Sequence, residues 1–189
     1  MPQVCVVLAP GAEETETVAV ADVLVRCGCQ VQIAALAAAQ VDGSRGIPLG
    51  SHCPLEEVDQ TQIDCLYLPG GMGSAERCRD DARVQRLIAE RLVAERLLAI
   101  ICASPIALLP GDHARGRRLT SHPSVKDQLV GGGADWVDER VVQDGCLWTS
   151  QGPGTAIEFG LALGGALGDA ETAAAVADAM RVAKVTRSS

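Results

Sequence analysis

The stretch Leu97–Leu109, which reads LLAIICASPIALL, decides the fold that we predict for the whole chain. Its first half is a short, wholly apolar run that ends at Cys102, and such a run is typical of a strand buried on both faces of a parallel sheet. Small residues and a proline follow and lead into a second apolar segment. We therefore predict a strand, a sharp turn at Cys102 and then a helix.

Cys102 is the candidate nucleophile at this predicted turn. A residue between a buried strand and a helix lies at the carboxyl edge of the sheet, beside the unpaired N–H groups of the helix. Those groups and the helix dipole favour a thiolate over a thiol. Position alone leaves open the alternative of an inert core cysteine, because free cysteine is among the most buried residue types.

Length and composition indicate one ordinary globular domain. The chain has 189 residues, of which 48% are hydrophobic and 21% are charged, and this length suits one well-buried domain better than two. The formal net charge of −8 offers no basic surplus for phosphates, so neither nucleic acid nor an anionic membrane surface is expected as a partner. No apolar run approaches the roughly 20 residues of a membrane span.

The eight cysteines could indicate a disulfide framework, but a chain so rich in core-forming residues does not need one. No signal peptide pattern precedes Val4. No Cys-x-x-Cys pair indicates a zinc site or a redox dithiol, so we expect no metal. These patterns together predict a reducing, cytoplasmic location.

Alternating strand and helix patterns surround the central stretch and predict an α/β domain with a mostly parallel sheet. Apolar runs predict further strands over 4–9, 31–36 and 63–68, and a short one just before residue 122. Amphipathic patterns predict helices over 12–27, 81–96, 156–167 and 170–182. A small hairpin excursion is predicted over 40–54, a β-hairpin over 136–150 and a frayed tail over 185–189.

Glu16 is a second candidate for chemistry, because it shares a helical stripe with Val20 and Leu24. Its carboxyl therefore points toward the core, where burial would raise its pKa and keep it protonated near neutrality. Glu13 and Glu14 belong to the same first turn, and we expect them to be surface partners of the helix dipole.

Two more groups follow predicted strands and so lie near the same sheet edge as Cys102. The pair Gly70–Gly71 comes directly after a buried strand, and paired glycines allow backbone N–H groups to surround an anion. His122 is a lone histidine, which is more often structural than catalytic, but it lies at the same kind of strand end as Cys102.

Five motifs together resemble the ThiJ/PfpI superfamily, in the branch of the parkinsonism-associated deglycase and the bacterial protein YajL. They occur in the family's order and at its spacing, and they are Leu8–Glu16, Leu68–Gly71, Ala99–Ala103, Thr120–Pro123 and Thr149–Thr155. The resemblance implies one domain over residues 1–189, a flavodoxin-like three-layer sandwich, and a homodimer.

For the site, the resemblance implies that Cys102 is the nucleophile and that a protonated Glu16 donates a hydrogen bond to its sulfur. The loop at Gly70–Gly71 and the N–H group of Ala103 would hold an oxyanion, and His122 would lie beside the thiol. The implied activity is that of a cofactor-independent glyoxalase or deglycase in oxidative and carbonyl stress. Its substrates would be methylglyoxal, glyoxal or their amine and thiol adducts.

Three positions bear on how far the family pattern applies. The chain continues Gly70–Gly71 with Met72-Gly73-Ser74, whereas the family pattern is Gly-Gly-x-x-Gly. Ser104 stands where the family has a smaller residue, and it adds a hydroxyl near the nucleophile. His122 is present, although some bacterial relatives lack a histidine there.

Other functions remain as alternatives. A redox-sensing chaperone would need the same accessible thiol, with Cys102 oxidised to a sulfinate and no physiological turnover. A cysteine peptidase or amidotransferase is a second alternative, although Ser124 stands where those amidotransferases have a glutamate. An inert structural cysteine is a third, and the placement of Glu16 argues against it. Cys53, in the polar excursion, is a secondary redox candidate at a dimer interface.

Overall fold

A computed structural model describes residues 1–182 of the chain. The strands are β1 (Gln3–Leu8), β2 (Gln30–Ala35), β3 (Gln40–Asp42), β4 (Pro48–Gly50), β5 (Cys53–Pro54), β6 (Cys65–Leu68), β7 (Leu97–Ile101), β8 (Arg118–Leu119), β9 (Asp135–Trp136), β10 (Val141–Asp144) and β11 (Leu147–Ser150). The α-helices are α1 (Glu14–Arg26), α2 (Met72–Asp80), α3 (Ala82–Val93), α4 (Lys126–Gly131), α5 (Ala156–Leu167) and α6 (Ala170–Ala179).

Seven strands form one sheet in the order β10-β11-β7-β6-β1-β2-β5. Every neighbouring pair in it is parallel except β10 and β11, which form an antiparallel hairpin. The central strands β6 and β7 are apolar on both faces and almost wholly buried, because helices flank the sheet. Helix α1 packs on α5 and α5 on α6, while α2 packs on α3. The predicted flavodoxin-like α/β fold is confirmed.

The order of the strands places a crevice at the centre of the sheet. Strand β1 pairs with β2 on one side and with β6 on the other. The strand order therefore reverses at β1, because β2 and β5 lie on one side of it and the later strands β6, β7 and β11 lie on the other. In open α/β sheets, ligands bind outside the carboxyl ends of the strands at such a reversal. The loops that follow β1, β6 and β7 therefore build the candidate site.

The segments around this sheet differ from the sequence prediction in several places. The β-hairpin predicted over 136–150 comprises only β10 and β11, because Trp136 lies in β9, which pairs with β8. Helix α4 was not predicted. The predicted excursion contains the hairpin β3–β4, but the chain then returns to the main sheet as β5, parallel to β2. The helix predicted after Cys102 is a short 3-10 helix over Ser104–Leu108, with a proline in its first turn. Helix α2 was not predicted, since its polar, glycine-containing sequence lacks an apolar stripe.

Three further observations complete the description of the fold. Within residues 1–182, no helix combines the length and the apolar character needed to cross a membrane. All eight cysteines fall in this part of the chain, and each is a free thiol. The last helix ends at Ala179, earlier than predicted, and the tail predicted over 185–189 lies outside the described residues.

Candidate active site

Cys102 occupies the predicted elbow directly after β7. Its φ of 65° lies in the left-handed region, which costs a non-glycine residue about 1–3 kcal/mol and persists only where the surroundings fix it. Two hydrogen bonds do so: the Cys102 N–H donates to the Ser150 carbonyl at 2.9 Å, and the His122 N–H donates to the Cys102 carbonyl at 2.8 Å. The elbow therefore holds the thiol in one direction.

Backbone N–H groups of Gly71 and Ala103 donate toward the sulfur of Cys102. The Gly71 donor reaches this position because the loop after β6 passes very close to the loop after β1. Gly71 has a φ of 85°, and a Cβ there would lie 2.1 Å from the Gly11 carbonyl oxygen, so only glycine fits. These two N–H groups are the predicted oxyanion donors.

Ser104 fixes the same loop from the other side. Its side chain is fully buried, and its hydroxyl donates to the Pro69 carbonyl at 2.5 Å. The Ser104 hydroxyl, which the sequence analysis predicted near the nucleophile, thus links the loop after β6 to the turn at Cys102 by a hydrogen bond. No local pattern indicates this partner, which lies 35 residues away in the chain.

Glu16 is fully buried on the core side of α1, as its helical stripe predicted. Its Oε2 accepts the Gly70 N–H at 2.8 Å, and a Cβ on Gly70 would lie 2.4 Å from that oxygen. Its Oε1 is buried and has no hydrogen-bond partner among the described residues. Burial raises the pKa of Glu16 to about 7, so this carboxyl holds a proton in much of the neutral range.

Glu16 and Cys102 titrate as a pair. Burial first, and then the negative charge of Glu16, raise the pKa of Cys102 to about 12, although the two backbone N–H groups lower it. The backbone donors favour the thiolate, as the sequence predicted, but desolvation and the charge of Glu16 outweigh them. Between about pH 7 and 12 the pair carries one negative charge, and a thiolate forms only with Glu16 protonated.

The three predicted catalytic side chains converge beside Gly152. A Cβ on Gly152 would lie 3.9 Å from Cys102 Sγ, 3.9 Å from Glu16 Oε1 and 3.7 Å from His122 Cδ2. The Glu16 and Cys102 side chains border the same small space and interact directly, so the carboxyl is in a position to exchange a proton with the thiol or with a molecule bound to it.

His122 is exposed, and its ring has a fixed orientation. Nδ1 accepts the Ser124 N–H at 3.2 Å and lies 2.8 Å from the Ser124 hydroxyl. Because a backbone N–H can only donate, a neutral imidazole must carry its proton on Nε2. His122 can therefore donate a hydrogen bond from Nε2, and the role of base is left to Glu16.

Cys102, His122 and the oxyanion donors Gly71 and Ala103 line a cleft of about 510 Å³, and Glu16 is buried behind it. Its wall also includes Ser124 and the exposed residue Arg45. Such a volume suits a small molecule. Within residues 1–182, no three His, Cys, Asp or Glu side chains come together in an arrangement that could hold a metal ion.

Glu13 and Glu14 are buried, contrary to the surface role expected for them. The Glu13 carboxylate accepts the Glu16 N–H at 2.7 Å and so caps α1. The Glu14 carboxylate accepts the Arg45 N–H at 2.7 Å and the Ser44 hydroxyl at 3.0 Å. Desolvation raises the pKa of Glu14, but these hydrogen bonds outweigh it and lower the pKa overall. Glu14 thereby fixes the hairpin loop that forms one wall of the cleft.

Cys53 lies apart from the cleft, on the edge strand β5. Its thiol is partly exposed and accepts a hydrogen bond from Gln32 Nε2 at 3.2 Å. Burial raises its pKa, which keeps it in the thiol form. Its redox role at a dimer interface stays a prediction.

Comparison with known proteins decides the family. The sequence model of the DJ-1/PfpI family matches residues 2–164. The chain belongs to the DJ-1/PfpI family. Protein dj-1beta of Drosophila melanogaster is 40% identical over 179 residues, which cover 94% of this chain and 96% of that protein. The Parkinson disease protein 7 homolog of Danio rerio is 38% identical over 174 residues, covering 90% and 92%.

Solved structures of the family agree with the fold described above. The crystal structure of Drosophila melanogaster DJ-1beta gives a TM-score of 0.92 at 39% identity, covering 97% of this chain and 99% of that one. The structure of oxidised Toxoplasma gondii DJ-1 gives a TM-score of 0.90 at 32% identity, covering 97% of this chain and 100% of that one.

A further relative is a protein of Pyrococcus abyssi that is named as a deglycase. It is 34% identical over 127 residues, which cover 67% of this chain and 76% of that protein. The resemblance to the ThiJ/PfpI superfamily is thus confirmed.

Proposed function

We propose that this member of the DJ-1/PfpI family is a cofactor-independent glyoxalase and deglycase. Its substrates would be methylglyoxal, glyoxal or their amine and thiol adducts, and its role would lie in carbonyl and oxidative stress. The observation that supports this most is the pair of Cys102 and Glu16, in which a buried carboxyl with a pKa near 7 lies beside the sulfur. The name of the archaeal deglycase relative supports the same reaction class.

The first step is attack of the Cys102 thiolate on the aldehyde carbon of a 2-oxoaldehyde. A C–S bond forms, and the carbonyl electron pair moves to oxygen, where the N–H groups of Gly71 and Ala103 stabilise it. Glu16 then gives its proton to that oxygen, so the product is a hemithioacetal and Glu16 becomes a carboxylate.

The second step moves one proton between neighbouring carbons and one between their oxygens. The Glu16 carboxylate removes the proton from the carbon bound to sulfur, which gives an enediolate, and a hydrogen bond from His122 Nε2 stabilises the charge on the neighbouring oxygen. Glu16 then returns the proton to the adjacent carbon, and the hydroxyl proton of the carbon bound to sulfur passes to the neighbouring oxygen. The product is a thioester, and water cleaves it to a 2-hydroxy acid and the free thiol. One water molecule is consumed, and no external oxidant or reductant is needed. On an amine-bound adduct, the C–N bond would break as the C–S bond forms, and the amine would leave with the proton that Glu16 donates; the second step would then follow as before.

The deciding experiment is the turnover of methylglyoxal to lactate by the purified protein. We expect Cys102→Ala to lose turnover and Glu16→Ala to lose about 100-fold or more, as is usual when a general acid–base group is removed. Cys146→Ala is the matched control, because Cys146 is a partly exposed thiol outside the cleft. No turnover by the wild type, or full turnover by Cys102→Ala, would contradict the proposal.

A redox-sensing chaperone is the second candidate, and one observation favours it. The two N–H groups at the sulfur and the unpartnered Glu16 Oε1 could hold the oxygens of a Cys102 sulfinate. Mild peroxide should then add two oxygen atoms to Cys102, visible by mass spectrometry, and abolish turnover. Retained turnover after this treatment would count against the sensor.

We further propose that the protein forms a homodimer in a reducing, cytoplasmic compartment. The free state of all eight thiols supports such a compartment. Val18 and Val25 lie one above the other on α1, and each is more than half exposed, as is Ile47 in the β3–β4 hairpin. These apolar side chains form a surface that a second copy could cover. The absence of nucleic-acid partners stays a prediction from the net charge.

A further inference from the structure

The peptide bond between Pro69 and Gly70 is held at both ends by buried side chains. Its carbonyl accepts the Ser104 hydroxyl at 2.5 Å, and its N–H group donates to Glu16 Oε2 at 2.8 Å. Both side chains are fully buried, so water does not compete for these hydrogen bonds. A single peptide unit therefore connects the Ser104 hydroxyl to the buried acid of the candidate site.

This hydroxyl supplies a partner that the backbone does not. The carbonyls of Gly70 and Gly71 accept backbone N–H groups, at 3.0 and 2.9 Å. Among the described residues, no backbone N–H group donates to the Pro69 carbonyl, although Pro69 is buried. The serine thus satisfies a carbonyl that would otherwise be buried without a hydrogen bond.

The Ser104 hydroxyl is not used by its own helix. Ser104 is the first residue of the 3-10 helix Ser104–Leu108, and a serine at the start of a helix commonly bonds within the first turn. Here it donates to a residue 35 positions earlier in the chain. Gly70 lacks a Cβ, and a peptide beside a glycine rotates at little steric cost. The hydrogen bond at the Pro69 carbonyl, together with Glu16, therefore fixes the orientation of this peptide.

From this geometry we infer that Ser104 is a positioning residue, whose hydroxyl orients the loop after β6 for the reaction. The orientation that it sets places the Gly70 N–H group on the Glu16 carboxyl. It also places the next donor, the Gly71 N–H group, at the Cys102 sulfur. The inference rests on the proposed function, since these two groups are the acid and the oxyanion site of that reaction. Ser104 itself lies outside the cleft.

Loss of the hydroxyl should change how firmly Glu16 holds its proton. A peptide that accepts a hydrogen bond at its carbonyl becomes a stronger donor at its N–H group. The Gly70 N–H group stabilises the carboxylate form of Glu16, and so lowers its pKa against the larger effect of burial. Without Ser104 this donor weakens or turns away, and Glu16 should bind its proton about threefold more tightly.

The test is a pH titration of the Glu16 carboxyl by NMR, in protein labelled with ¹³C in its glutamate side chains, where Glu16→Gln identifies the signal. We expect a midpoint near pH 7 in the wild type and a higher one in Ser104→Ala, which removes one oxygen and adds no atom. Ser74→Ala is the matched control, because Ser74 is fully buried just after the same loop, but its hydroxyl has no partner among the described residues. Both variants leave unchanged the titratable groups that face this carboxyl, which are Cys102, Glu13, Tyr67 and His122.

Kinetics give a second readout, which separates the inference from the proposed function. The Gly71 donor acts on charge that develops in the transition state, so Ser104→Ala should lower kcat for methylglyoxal about tenfold and leave KM within about twofold. An unchanged titration or an unchanged kcat in Ser104→Ala, or an equal shift in Ser74→Ala, would overturn the inference. If the wild type does not turn over methylglyoxal but the titration moves in Ser104→Ala alone, the proposed function fails and the role of Ser104 in placing the loop against Glu16 stands.

Discussion

Glu16 sets the pH response of the nucleophile at the scale of single residues. The pair loses its first proton near pH 7, and the share of that charge carried by sulfur does not change with pH thereafter. We expect the alkylation rate of Cys102 by iodoacetamide to rise through about pH 7 and then level off. In Glu16→Gln the buried thiol must ionise by itself, so the midpoint should move upward, toward the raised pKa that burial imposes.

Mass spectrometry of the alkylated Cys102 peptide measures this rate without interference from the other seven thiols. Cys146 in the same sample is an internal control, since it lies outside the cleft. A midpoint that is the same in wild type and Glu16→Gln would show that the two groups are not coupled.

The buried carboxyl also affects stability. Because the folded-state pKa of Glu16 is raised from 4.5 to about 7, the folded state binds more protons than the unfolded state in that window, and stability falls as pH rises through it. We expect Glu16→Gln to unfold with up to about 3 kcal/mol more free energy than wild type at pH 8. Urea unfolding should show the difference vanish near pH 4.5, and a constant difference would contradict this account.

At the scale of elements, the β3–β4 hairpin depends on one side chain of α1. Glu14 accepts hydrogen bonds from Arg45, Ile47 and Ser44, and these add to two backbone hydrogen bonds between the hairpin and the loop after β1. We expect Glu14→Ala to destabilise the protein by about 2 kcal/mol and to speed hydrogen exchange at the amides of Arg45 and Ile47.

Glu171→Ala is the matched control for this variant, because Glu171 occupies the first turn of α6 in the same way but is exposed. If exchange at Arg45 and Ile47 is as slow in Glu14→Ala as in the control, then the backbone hydrogen bonds and packing hold the hairpin without Glu14.

Local patterns predicted those parts of the fold and site that depend on neighbouring residues. The buried strand before Cys102 follows from a continuous apolar run, and the inward face of Glu16 follows from the 3.6-residue period of a helix. Glu14 and Ser104 could not be predicted, since their partners lie about 30 or more residues away in the chain. Helix α2 was missed for a related reason: it is stabilised by packing on Ser104–Leu108 and α3, and not by its own pattern.

The exposed valines of α1 make a prediction at the scale of the whole molecule. If a second copy covers Val18 and Val25, which are 54% and 56% exposed, then Val18→Glu and Val25→Glu should convert the dimer to a monomer, because a charge cannot be buried there unpaired. Val93→Glu is the control, since Val93 is 86% exposed on α3. Light scattering after size exclusion measures the mass, and a monomeric wild type would refute the homodimer.

The strained elbow has a consequence for how this protein can change under selection. The left-handed backbone of Cys102 and the buried acid at Glu16 both lower the stability of the folded state at the same place. The fully buried apolar strands around them contribute enough folding free energy to compensate for both costs. Selection for heat resistance alone would therefore favour replacement of these two residues first, whereas selection for activity must retain them. A variant that has been selected for heat resistance and still keeps both residues is therefore expected to be under selection for the activity as well.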